Sequence, residues 1–116
     1  MILGQRYRIS VGPGPDEGWN IDIVAYSYEL LDHDSGLEIL AYHWHPEGPS
    51  AVNRPHLHPG PALRAAIGVS RAMHLPTGHV AIQDFVLMTI DDFEARPLRP
   101  DWREILEAAS GAGPLR

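Results

Sequence analysis

The chain has 116 residues, a formal net charge of −6 with its histidines neutral, and no cysteine. That length suits one domain around one core, and the lack of thiols excludes disulfides, thiolate zinc sites and iron–sulfur chemistry, leaving histidine and carboxylate as the strong metal ligands. The acidic balance argues against a broad nucleic-acid footprint, which needs basic surface to displace counterions. The N-terminus has no signal-peptide core and no apolar run approaches the ~20 residues of a membrane span, so a cytoplasmic protein without a membrane partner is expected.

Residues 2–11 alternate around Tyr7, Ile9 and Val11 and predict a first strand. Gly12-Pro13-Gly14-Pro15-Asp16-Glu17-Gly18 is turn chemistry, giving a loop over 12–18. From Trp19 to Leu31 the chain is β-branched and aromatic, with Val24, Tyr26, Tyr28 and Leu30 on one face and Ile21, Ile23 and Ala25 on the other. Apolar residues on both faces predict a central, covered strand. Asp32-His33-Asp34-Ser35-Gly36 predicts a hairpin turn, and Leu37 to His45 a returning third strand. The proline-rich stretch 46–61 reads as an extended loop or short edge strand.

Ala62 to Met73 fits either a helix or a short strand at 66–69. The helical signal is clearest over 78–94, where Ile82, Phe85, Val86, Thr89, Ile90 and Phe93 recur at three and four residues, with Thr77 as candidate N-cap. Leu87 and Met88 widen its apolar band, so this helix should be deeply buried or covered by a partner. A second helix starts at Asp101, where Asp101 and Glu104 form a capping-box pattern, is seated by Ile105 and Leu106, and ends at Gly111 before a flexible tail over 112–116. The expected fold is α+β, a single domain over 1–116 with an antiparallel sheet of about four strands and two C-terminal helices on one face.

The chemistry concentrates between residues 43 and 58, where four of the seven histidines form two His-x-His pairs, His43-Trp44-His45 and His56-Leu57-His58. Imidazole works near neutral pH as ligand, acid or base. Two histidines at i and i+2 on a strand share a face, with side-chain origins about 6–7 Å apart, within reach of one ion. His43, His45, His56 and His58, or three of these with Glu47, are therefore candidate ligands for a divalent, zinc-like ion. A second reading needs no metal: His56 and His58 act as acid and base on RNA or another phosphate ester, Arg54 stabilises the developing charge, and Tyr26 or Tyr42 positions the substrate.

The bland alternative makes the same histidines hydrogen-bonded strand and loop residues. His74 and His79 are expected to serve turns and caps, and His33 to be solvated. Trp19, Trp44 and Trp102 are expected as core or interface anchors. The acidic run Asp91-Asp92-Phe93-Glu94 reads as a solvated helix end, and together with the wide apolar band it suggests a non-catalytic interaction module or a homodimer.

The order Tyr26-Ser27-Tyr28-Glu29-Leu30, a turn with Gly36, Ile39-Leu40-Ala41-Tyr42, His56-Leu57-His58 and then Ile82-Gln83-Asp84-Phe85 resembles the TumE-like toxins of toxin–antitoxin modules, over about residues 20–94. The chain is also similar to a bacterial group carrying the segments Ala41–Gly48 and His74–Gly78. The resemblance implies a small α+β protein that acts with an antitoxin-like protein partner on RNA, and it carries over His56 and His58 alone. The chain departs from the pattern at Tyr42-His43-Trp44, where the family shows Tyr-Asp-Asn, and over 60–75, which looks inserted. Gly36 followed by His43-Trp44-His45 and Glu47 resembles the first metal motif of cupins, whose second motif is missing here.

Overall fold

The computed structural model describes residues 1–14 and 18–110, so the loop expected over 12–18 is seen only in part. The helix stop at Gly111 and the tail over 112–116 lie outside the described residues. The chain groups into two compact units, Met1–His79 and Val80–Arg116. The first holds a five-stranded antiparallel sheet in the order β1-β2-β3-β4-β5, with β1 at Ile2–Val11, β2 at Trp19–Leu31, β3 at Glu38–Trp44, β4 at His56–Pro59 and β5 at Leu75–Pro76. A short helix, α1 at Pro61–Ile67, joins β4 to β5, and the second unit carries α2 at Ile82–Asp91 and α3 at Trp102–Ser110. The fold is α+β, with one strand more than the four expected.

The N-terminal hairpin contains the irregularity that organises the sheet. Arg6 stands opposite Ala25 but Tyr7 stands opposite Ile23, so Val24 is the extra residue of a β-bulge. A one-residue step exchanges the faces beyond it. Trp19, Ile21 and Ile23 therefore share a face with Tyr26, Tyr28 and Leu30. The two-sided apolar strand expected from the sequence is thus one-sided. Its C-terminal half is buried while Trp19 is 74% exposed.

On that apolar face Tyr26, Tyr28, Leu30 and Leu40 are buried, the Tyr26 and Tyr28 rings stack at 4.6 Å, and the Gln5 amide donates to the Tyr28 hydroxyl at 2.8 Å. The β2–β3 turn closes as its composition requires. The Asp32 carboxylate accepts from the Ser35 backbone N–H and hydroxyl at 2.8 and 2.6 Å, and Gly36 takes the left-handed conformation at φ 67°.

β4 is not an edge strand: it pairs with β3 on one side and β5 on the other. At its end Gly60 N–H donates to the Ile39 carbonyl at 2.7 Å, and a side chain on Gly60 would overlap the Glu38 backbone. Pro61 then opens α1 and Gly68, at φ 68°, ends it, which settles the ambiguous stretch as helix.

α2 starts later than the expected residue 78. Thr77 N–H donates to the Pro55 carbonyl at 3.0 Å and extends the β4–β5 pairing, so Thr77 is not the N-cap, and Ala81 takes that position without a side-chain bond. The wide apolar band does mark a deeply buried helix. Phe85 and Leu87, about 200° apart around the axis, are both fully buried, and the Thr89 hydroxyl returns to the Phe85 carbonyl at 2.8 Å. In α3, Ile105 is 42% exposed, so it does not seat the helix as expected. The Asp101 carboxylate accepts from the Arg99 guanidinium at 2.8 and 3.0 Å.

Gly60→Ala should cost about 1–3 kcal/mol of stability, because the added methyl meets backbone that cannot yield. An unchanged midpoint in chemical denaturation would contradict this close approach.

Candidate metal centre

β3, β4 and β5 deliver the imidazoles. His43 stands directly opposite His56, and His58 opposite Ala41. Side chains opposite one another in an antiparallel pair share a face, as do i and i+2 on a strand. His43, His45, His56 and His58 accordingly gather on the face opposite the tyrosines. Ring centroids lie 5.8 Å apart for His43 and His56, 5.5 Å for His45 and His56, and 4.8 Å for His43 and His58.

A fifth ring joins them. β5 pairs Leu75 with Leu57 and Pro76 with His56, and continuing that register sets His74 against His58. The His74 ring lies 4.3 Å from His58 and 5.1 Å from His56. Sequence reasoning assigned His74 to a turn, because a two-residue strand has no periodicity to read. The signal was the repetition of His-Leu-His-Pro at 56–59 by His-Leu-Pro at 74–76.

Hydrogen bonds fix the tautomers. The Arg54 carbonyl can only accept, so His56 donates to it from Nδ1 at 2.7 Å, and His74 donates from Nδ1 to the Ala72 carbonyl at the same distance. Each neutral ring then turns an Nε2 lone pair into the cluster. His56 and His58 meet Nε2 to Nε2 at 3.1 Å, with His58 as donor. That spacing is close to the ~3.3 Å edge of a tetrahedron built on metal–nitrogen bonds of ~2.05 Å. An ion held there would stand in for the shared proton, and His58 would then carry its own proton on Nδ1.

Two overlapping triads, His43/His45/His56 and His56/His58/His74, each place their ligand atoms within 4.8 Å of one another, so these histidine groups could hold a metal ion. His56 is common to both and only 1% exposed. Glu47 is exposed and belongs to neither triad, and Arg54, also exposed, reaches the cluster through its backbone carbonyl. His79 instead packs edge-on against Trp44 at 4.2 Å, and His33 is solvated beside Asp34.

The surroundings favour the neutral form of His43, His56 and His58. Burial, reinforced by neighbouring imidazoles led by His43, pushes His58 down to about 4. Burial also lowers His43, aided by His56 and His45, and lowers His56 against the opposing pull of the Arg54 carbonyl. Neutral imidazole is the ligating form.

Comparison with protein-family models, curated proteins and solved structures finds no match, and so nothing that bears on the TumE-like resemblance.

The depressed values set a pH dependence for the metal-free protein. Between about pH 6.5 and about pH 4 the unfolded chain binds protons that the folded cluster does not, so stability is retained above that window and lost as pH falls through it. The melting temperature of chelator-treated protein should fall across the window, and His58→Gln should flatten the slope. A melting temperature indifferent to pH in this range would show that the rings protonate freely.

Proposed function

We propose that this protein is a histidine-ligated metal-binding protein that holds one divalent, zinc-like ion with His56 as the common ligand. The observation that carries the reading is the orientation of His56. It is a buried ring whose Nδ1 donates to a backbone carbonyl while its Nε2 lies 3.1 Å from the Nε2 of His58, and it is the residue common to both histidine triads. Metal-bound histidines characteristically donate their second N–H to such an acceptor, which fixes ring orientation and raises ligand basicity. His74 repeats the arrangement.

With Nδ1 committed to Arg54, His56 has one nitrogen left to ligate, so the two triads compete for a single ion. Three imidazoles leave a fourth coordination position for water or a ligand, the pattern of a catalytic rather than a closed structural site. The metal-free reading, with His56 and His58 as acid and base across a phosphodiester, fits less well. Those two Nε2 atoms face each other at 3.1 Å, whereas such a pair must flank its substrate.

Protein prepared without a polyhistidine tag, loaded with zinc and dialysed, should retain about one equivalent by elemental analysis. His56→Ala should abolish retention. Because that ring is buried, the double variant His43→Ala/His74→Ala, which takes one ligand from each triad, serves as a companion that keeps the fold and should weaken affinity by about 10-fold or more. Zinc retention below about a tenth of an equivalent in the wild type, or full retention in His56→Ala, would overturn the proposal.

A further inference from the structure

The bulge at Val24 leaves a cleft on the histidine face. Its volume is about 670 Å³, and its walls include Arg6, Arg8, Val24, Ala25, His45 and Glu47. That size falls within the ~300–1,000 Å³ of small-molecule sites. Arg6 and Arg8, at i and i+2 on β1, share the face, with side-chain origins about 6–7 Å apart. Among the described residues neither guanidinium forms an ion pair, although Asp22 stands opposite Arg8 and Glu47 lines the far wall. His45 belongs both to the cleft wall and to the triad with His43 and His56, so the cleft opens onto the histidine cluster.

We propose that this cleft binds a phosphate monoester beside the metal centre. The proposal deepens the metal reading by naming the substrate class of the same site. A monoester presents three terminal oxygens and close to two negative charges, and each guanidinium offers a planar fork of N–H donors to a pair of oxygens. Two guanidiniums and the open coordination position of a nearby ion match that set, whereas one guanidinium already saturates a carboxylate. Val24, Ala25, Pro46 and Pro49 line the remaining space with apolar surface for the organic part. Glu47 on the far wall repels a second anionic group, which favours a monoester over a bisphosphate. A polyanion such as RNA needs a longer basic track than two arginines on a chain of net charge −6.

Calorimetric titration of zinc-loaded protein with phenyl phosphate tests this, with benzoate as the comparison. Phenyl phosphate should bind more tightly than benzoate, and Arg6→Gln and Arg8→Gln should each weaken it about 10-fold while zinc content stays at the wild-type level. Both arginines are exposed, so both variants should fold. Wild-type affinity in the two variants, no binding of phenyl phosphate, or equal binding of benzoate would each overturn the proposal. Repeating the titration after chelation separates the two readings. Arginine-dependent phosphate binding by a protein that retains no zinc would leave the cleft standing and remove the metal.

An independent observation lies on the other face of the same hairpin. Beyond the bulge, Tyr7, Ile9 and Val11 stand opposite Ile23, Ile21 and Trp19, and all six are exposed, from 39% at Ile23 to 74% at Trp19. Together they present on the order of 700 Å² without a charge, close to the ~800 Å² that each partner contributes to a standard interface.

We infer that this ribbon is the interface of a two-fold homodimer, in which two such faces stack as paired sheets do. An antiparallel, apolar and uncharged face, presented alike by both copies, can pair with itself as a two-fold interface requires. Sedimentation in the presence of chelator should give a dimer at micromolar concentration. Ile9→Glu and Ile21→Glu should each give a monomer with an unchanged circular dichroism spectrum. A wild-type monomer at every concentration, or dimers that persist in both variants, would overturn the inference.

Discussion

The hydrogen bond from His56 Nδ1 to the Arg54 carbonyl holds a ring that is 1% exposed between two neighbouring strands. Burying a polar side chain without a partner costs on the order of 1–3 kcal/mol, and this bond satisfies one nitrogen of His56 while leaving the other to the cluster. The remaining rings are placed by strand register relative to it. His43 faces it from β3, His58 follows it along β4, and His74 immediately precedes β5. Sliding β4 by one residue against β3 would turn both of its imidazoles to the tyrosine face. That register is held at the end of β4 by the Gly60 N–H bonded to Ile39, while the Thr77 N–H bonded to Pro55 holds the β4–β5 pairing.

The bulge at Val24 separates two surfaces that a regular hairpin would mix. With uninterrupted pairing, Ile21 and Ile23 would lie among the arginines and histidines, and Asp22 would lie among the tyrosines. The extra residue returns the apolar side chains to one face and leaves Arg6, Arg8, Asp22 and Ala25 on the other. One local irregularity therefore shapes both the polar cleft beside His45 and the apolar ribbon behind it. Bulges re-aim side chains in this way next to functional sites.

The parts of the structure legible in the sequence are those that a local pattern encodes. β1 and β2 fall at the expected bounds, β3 differs by a residue at each end, and the long apolar repeat marks α2. That His43 and His45 share a face was legible as well, from strand periodicity, but whether the two His-x-His pairs meet was not, because it depends on the β3–β4 pairing. The bulge was not legible: alternation along Trp19–Leu31 is the same with or without it, and the register depends on the partner strand. β5 was missed because two residues carry no period, and His74 was missed with it. Thr77 looked like a cap because its chemistry suits one, but its amide is spent on Pro55. Glu47 looked like a ligand by its nearness to His45 in sequence, yet it is exposed and belongs to neither histidine triad.

The bland reading of the histidines, as ordinary hydrogen-bonded strand residues, accounts for only part of the cluster. It covers His56 and His74, which donate to backbone carbonyls, and the bond between His56 and His58. It does not cover His43 and His45, whose rings meet other imidazoles and no hydrogen-bond partner among the described residues. An apolar residue of similar volume would pack the His43 position without the acid sensitivity that desolvation and the neighbouring imidazoles bring there. A cation would reverse the balance: the lowered proton affinity of His43, His56 and His58 that weakens the metal-free protein in acid keeps their lone pairs free for a ligand role at neutral pH.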